Sequence, residues 1–452
     1  MECGAPAPLY GLNQSSAQTV VHDSNVNHPP LYSVSVLDLD CGQDFDASHD
    51  EDFFDALPPR PAICLIELRA KNAESAEPLL IRTQDLRKRM QRLLGPLDPT
   101  SKRLNLRELT QKIRYRLTGS KFEQSYTYYQ NAKHHLPHRY SKLMRLRPPA
   151  VLKVTLRNAY PRCIVTRRVS VDATGTPNAG TYYGPFPSRK FALAFAERVL
   201  DFFKVRRCQI KIRRDPTFPG CLYSEMKMCL APCFAGCSKE EYDAEVNRLV
   251  QFLDTDGNSL RAAIELEREK ASDDLDFERA ATIHKRVEKL DDALRGKPDL
   301  ARRIQDLNAV ILQRSAEDQT ITAFAIRGGR FSDPCYIRFA EIAGQPRSAE
   351  QIFREYLETN PPPAASAANP TPSASRIELG EHLWLLARWY YSNPREGEIF
   401  FHEKDWPYRK IMRACSRLLL PKGSNDAPGK PESTSPSQQS GTDTQGQRKS
   451  PQ

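Results

Sequence analysis

The chain has 452 residues, room for two to four domains with buried cores, and it is 27% charged with a mean hydropathy of −0.59. No apolar run could span a membrane, and the N-terminus lacks a basic segment followed by an apolar one, so a cytoplasmic protein without membrane partners is expected. The net charge of +10 hides an asymmetry: residues 1–59 hold ten acids and no Lys or Arg, whereas residues 82–170 hold 22 Lys and Arg against 4 Asp and Glu. Such an excess repels itself, which makes DNA or another nucleic acid the expected partner.

Residues 1–57 are polar and acidic with little periodicity, and a disordered tail is expected there. The segment around Asp44–Phe54 offers charge for shielding the basic region, but an unattached tail is the simpler expectation. Residues 60–157 read as a small mixed domain. PAICLIELRA and EPLLIRT form a strand pair, and TQDLRKRMQRLLG forms a helix capped by Thr83. Further helices are predicted from Arg107 to Leu117 and from Phe122 to His135. Residues 160–237 combine short strands, the turn GTYYGPFPS, a helix near Lys190–Phe203 and a cysteine cluster. Ser238 and Glu241 form a capping box for a helix to residue 256.

Residues 258–295 form a charged helical hairpin. Its first helix puts Leu260, Ile264 and Ala271 on one face, and its second puts Ala280, Ile283, Val287 and Leu290 on another. Phe277 is expected to plug the turn, and the small Ala280 and Ala281 permit close helix approach. A hairpin this short leaves apolar surface that calls for a partner; packing on its own protein is the alternative. Residues 300–415 read as a small α/β domain of alternating strands and two helices, interrupted by a Pro/Ala/Ser linker at 360–375. Residues 421–452 read as a disordered tail. The fold class is α+β with disordered termini.

Four of the eleven cysteines, Cys208, Cys221, Cys229 and Cys233, stand in a basic stretch with twelve, seven and three residues between them in turn. Clustered thiolates in a reducing compartment bind metal, and residue chemistry leaves both a [4Fe–4S] cluster and structural zinc open. Cys237 is expected to be no ligand.

GTYYGPFPS, CLYSEMKMCLAPC and LDFERAATIHKRV stand in the order and spacing of UvrC, the nuclease subunit of excinuclease ABC, and the resemblance runs from about residue 60 to 415. It implies a GIY-YIG-like domain, a cysteine-cluster domain binding [4Fe–4S], a UVR hairpin that binds UvrB, and a central domain; the C-terminal nuclease domain is expected to be absent. It also implies a degenerate active site. The GIY position is Ala62-Ile63-Cys64 and the YIG position Leu79-Leu80-Ile81, so Cys64 and Leu79 replace the motif tyrosines. Arg87 matches the catalytic arginine. Tyr128 takes the place of the glutamate that holds one divalent metal, and no Mg²⁺ is expected.

The resemblance therefore implies a subunit of nucleotide-excision repair that binds UvrB and DNA with incision lost. DNA contacts are expected from Arg87, Lys88, Arg89 and Arg92, and UvrB contacts from Phe277, Ala280, Ala281, Ile283 and Val287. Two alternatives stand beside it: a UVR-type adapter without a repair role, and an active nuclease in which Glu123 supplies the metal ligand.

Overall fold

A computed structural model describes residues 39–69, 77–96, 103–171, 180–342, 346–359 and 372–420. It is an α+β protein built on three antiparallel sheets. The expectations for residues 1–38, most of the 360–375 linker and the 421–452 tail lie outside the described residues.

The first lobe comprises β1 (Cys41–Asp44), α1 (Asp50–Ala56), β2 (Ala62–Leu68), β3 (Leu79–Thr83), α2 (Leu86–Leu94), β4 (Thr110–Leu117), α3 (Lys121–His135) and α4 (Tyr140–Met144). Its sheet runs β1-β4-β2-β3. Three expectations change here. The segment Thr110–Leu117 is a strand, because Ile113 and Tyr115 alternate with Lys112, Arg114 and Arg116, a period-two pattern that buries one face. Helix α2 is capped by Asp85, whose carboxylate accepts from Lys88 N–H at 2.9 Å, and not by Thr83. Residues 41–57 are not a disordered tail: β1 pairs with β4, and Phe45, Phe53, Phe54 and Leu57 are buried against α2 and β2. The aromatic and apolar residues of this acidic segment supply the burial that a solvated tail lacks.

The second lobe comprises β5 (Ala150–Val154), β6 (Cys163–Thr166), β7 (Thr181–Phe186), α5 (Arg189–Leu200), α6 (Leu222–Glu225), α7 (Lys239–Asp254), the hairpin α8 (Asn258–Asp273) and α9 (Phe277–Leu294), and β8 (Arg302–Arg303). Its sheet order is β6-β5-β7-β8. β5, expected within the 60–157 domain, pairs with β6 and β7, so the boundary falls before residue 150 and not at 157. Ser238 and Glu241 form the capping box of α7. Gly257, at φ +86°, turns α7 into α8 where a side chain would strike Leu294.

The third lobe comprises β9 (Ala309–Arg314), β10 (Thr320–Arg327), β11 (Arg330–Phe331), β12 (Cys335–Arg338), α10 (Phe339–Ile342), α11 (Ala349–Thr359), α12 (Pro372–Tyr390), β13 (Glu398–Phe401) and α13 (Tyr408–Leu419). Helix α13 had no counterpart in the sequence reading; its Ile411, Ala414 and Cys415 close the core over β9 and β10.

Helix α3 joins the first and third lobes. Phe122, Tyr126 and Tyr129 are buried both against Ile63 and Leu80 of the first sheet and against Phe324, Phe331 and Leu383 of the third lobe. Phe122 meets Phe324 edge-on at 4.9 Å between centroids. Tyr129 and Tyr140 both donate to Glu381 at 2.8 Å, and Lys133 pairs with Glu378 at 2.7 Å. At Gly119 any Cβ would run into the backbone of Arg314 and Ser315, so glycine is what permits this close approach.

Candidate metal centre and nucleic-acid interface

The cysteine region is built on a loop between α5 and α7. The Arg206 guanidinium, itself buried, ties the loop down by donating to the carbonyls of Tyr160 (2.9 Å), Cys208 (3.2 Å) and Ile210 (3.0 Å). Tyr242 accepts from Arg206 N–H at 3.1 Å and donates to Pro161 O at 2.7 Å, fixing the same loop to α7. Cys221 opens α6, with its N–H donating to Ser224 Oγ at 2.9 Å. Ala231 and Ala235 adopt left-handed backbone around Cys233, which bends the chain back toward Cys229.

These turns bring the four thiols into one neighbourhood. Cys208, Cys221 and Cys233 all act on Cys229, whose pKa rises to about 11, mainly through burial and then through these neighbours. None is disulfide-bonded. Among the described residues no group of three or more His, Cys, Asp or Glu side chains stands at coordination spacing, so the sulfurs are neighbours without being drawn onto a common centre. The donor set fits a thiolate-bound group nonetheless. Arg206 points a guanidinium N–H at Cys208 Sγ (3.8 Å), and Ala231 N–H donates to Cys229 Sγ at 3.3 Å. Both contacts stabilise sulfur that carries negative charge. Cys237 is buried in the hydrophobic core beside Tyr242.

In the first lobe the positions expected from the resemblance to be a degenerate active site do not share one face. Cys64 is buried on the α1/α2 side of the sheet, where burial pushes its thiol to about 12, and Leu79 packs on that same side. Tyr128 sits on the opposite side, on α3, with Arg82 over its ring at 5.5 Å. Arg87 is held by the acidic segment: it donates to Leu57 O (2.8 Å) and Asp55 O (2.7 Å) and lies 3.8 Å from the Asp55 carboxylate. Glu123 is 1% exposed. It accepts from Gly119 N–H at 2.7 Å and meets Thr322 at 3.5 Å, with Arg116 and Tyr336 alongside. Burial raises its pKa to about 7 against the pull of Gly119 and Arg116. A carboxyl so enclosed works as a strut between lobes, which counts against its serving as the metal ligand.

The acidic residues ahead of β2 take up a small part of the basic excess. Asp40 lies 3.5 Å from Arg116, Asp44 3.7 Å from Lys112, and Asp50 2.6 Å from Arg107. Sequence reading assigned that charge to an external polyanion; part of it is met within the chain. Of the expected DNA contacts, Lys88 and Arg92 are exposed and Arg89 half-buried. The second lobe adds residues 189–214, with nine Lys and Arg against two acids.

The hairpin corrects one expectation. Phe277 does not plug the turn; it is 68% exposed, next to Leu275 at 71%. The seam between α8 and α9 is filled by Leu260, Ile264, Ala271, Ile283, Val287 and Leu290, continuous with the core of α5 and α7. Ala280 is half-buried and Ala281 exposed. Ile283 and Val287 are therefore core, and the exposed apolar side chains are Leu275 and Phe277 at the tip and Leu266 midway along α8.

Residues 150–252 match the family described as UvrC/Cho excinuclease, middle domain. The chain is 29% identical over 181 residues to UvrABC system protein C of Ruminiclostridium cellulolyticum, covering 40% of this chain and 28% of that protein. It is 26% identical over 252 residues to the protein of that name from Thermoanaerobacter sp., covering 55% and 39%. It is 32% identical over 178 residues to that of Carboxydothermus hydrogenoformans, covering 39% and 28%. The chain thus spans well under half the length of each relative. No solved structure matches it.

Proposed function

The chain belongs to the UvrC family, and from that premise we propose that it is a DNA-binding, UvrB-binding subunit of nucleotide-excision repair whose first lobe no longer cuts. The observation that carries the loss of incision is the fate of the degenerate positions. Cys64 and Leu79 are apolar packing, Tyr128 lies across the sheet from them, and Arg87 is occupied by Asp55 and Leu57. Removing such groups costs orders of magnitude each in rate.

The binding half of the proposal rests on the second lobe. Its cysteine loop has the donor set for a [4Fe–4S] cluster, held by Cys208, Cys221, Cys229 and Cys233, with zinc as the alternative occupant. When bound, that group would cross-link the loop in a basic surface and fix its shape. The outward tip at Leu275 and Phe277 offers the apolar contact expected for UvrB. Two exposed apolar side chains beside each other on a charged hairpin support that reading.

The experiment is purified protein with UvrA and UvrB on a lesion-bearing duplex, in Mg²⁺ and in Mn²⁺. Retention on the UvrB–DNA complex without a 3′ nick is expected. A metal-dependent nick that disappears in Glu123→Gln would overturn the reading and restore the nuclease.

A further inference from the structure

A cleft of about 360 Å³ opens where the first and third lobes meet, within the range of small-ligand sites. One wall is the end of β3 and the first turns of α3; the other is α12 and the loop after it. Three cations line it from both lobes: Arg82, Lys121 and Arg388, all exposed. Arg82 and Arg388 carry no ion pair among the described residues; each lies over an aromatic ring, Arg82 over Tyr128 at 5.5 Å and Arg388 over Trp384 at 5.1 Å. Stacking restricts each guanidinium while leaving its N–H groups available. The one acid in the cleft, Glu396, is already engaged, accepting from Lys121 N–H at 3.0 Å and lying 3.9 Å from its ammonium.

The remaining lining is apolar or amide. Phe122, Leu385 and Trp389, all largely buried, floor the cleft, and Asn393 and Gln84, the latter donating to Gln124 Oε1 at 3.2 Å, offer exposed amides. Two unpaired guanidiniums suit a phosphate, an apolar wall suits a flat ring, and side-chain amides suit the edge of a base. The volume exceeds what a bare phosphate fills. We propose that this interlobe cleft is a nucleoside-phosphate site, filled by a free nucleotide or by the phosphorylated terminal nucleotide of a strand. The proposal needs only the cleft and stands whether or not the chain acts in repair.

The test is titration of the full chain with deoxyadenosine 5′-monophosphate, followed by calorimetry. Saturable one-to-one binding is expected, tighter than for inorganic phosphate or deoxyadenosine alone. Arg82→Ala and Arg388→Ala should each weaken it at least about tenfold, the loss of one charge-assisted contact, with Arg82→Lys recovering part. Ser125→Trp, which fills the cleft without changing its charge, should abolish binding. Arg413→Ala, an exposed cation on α13 outside the cleft, should change nothing, and thermal melts of all variants check folding. Competition by a 5′-phosphorylated oligonucleotide but not by its hydroxyl-ended twin assigns the site to strand ends; competition by neither assigns it to free nucleotides. No saturable nucleotide binding, or equal loss in Arg413→Ala, overturns the proposal.

Discussion

The first and second lobes have treated their motif positions in opposite ways. In the first, the positions that the family resemblance would assign to a nuclease site serve packing: Cys64 and Leu79 on one side of the sheet, Tyr128 on the other, Glu123 at the contact with the third lobe. In the second, the motif residues keep their functional groups, with four thiols in one loop, three half-buried and Cys233 buried, and an exposed apolar tip on the hairpin. A motif position that turns apolar loses its chemistry but can still hold the fold. A position that stays polar or reactive at the surface needs an external reason, because folding alone does not require it.

The largest expected effect tests the second lobe. Anaerobically purified protein should be brown and contain iron and sulfide, and Cys229→Ala should lose both. Metal-driven folding of small domains is worth on the order of 10 kcal/mol, so this variant should also become protease-sensitive between α5 and α7. Stoichiometric zinc without iron would leave the loop's role intact and change its occupant.

The next effect tests whether the acidic segment is part of the first lobe. Phe54→Ala removes a buried ring and should cost about 3–5 kcal/mol in chemical denaturation. A cost under about 1 kcal/mol would show that residues 41–57 are a detachable cover, not core.

Glu123 gives a pH signature. Its folded pKa, about 7, lies above its ordinary value, so its contribution is fully present below the ordinary carboxylate range and is lost as pH rises through about 7. His382 acts in the other direction: buried and held near 4, it adds stability above its ordinary value that is lost as pH falls. Wild type and Glu123→Gln should therefore be compared directly. Wild type should lose up to about 3 kcal/mol relative to the variant between pH 5 and 8. Parallel curves would mean Glu123 is not a protonated strut.

Smaller again is the effect of the acidic segment on DNA. Asp44→Asn, Asp50→Asn and Asp55→Asn together remove the carboxylates that pair with Lys112, Arg107 and Arg87, while the main-chain contacts of the two arginines stay. DNA binding should tighten, and its salt slope should steepen by up to about three ion equivalents. An unchanged slope would mean these cations do not face the strand. The smallest stability change belongs to Phe277→Ala, within about 0.5 kcal/mol at so exposed a site, while retention on UvrB should fall sharply.

Sequence alone determined what depends on local pattern. The strand pair of β2 and β3, the capping box at Ser238 and the two helices of the hairpin are written in alternation, cap chemistry and 3.6-residue periodicity. The cysteine spacing was legible because it is a set of residue identities at fixed offsets. Tertiary structure decided everything that turns on which surface meets which. The acidic segment read as tail because its charges dominate its composition, yet three phenylalanines and a new edge strand on β4 bind it to the core. Phe277 read as a plug because it is apolar, yet Ile283 and Val287 had already filled the seam and left it outside. Glu123 read as a spare ligand, but the third lobe, far away in sequence, closes over it at Thr322 and Tyr336. Burial of a side chain is a property of the neighbours it acquires, and those neighbours are set by long-range packing that no local window contains.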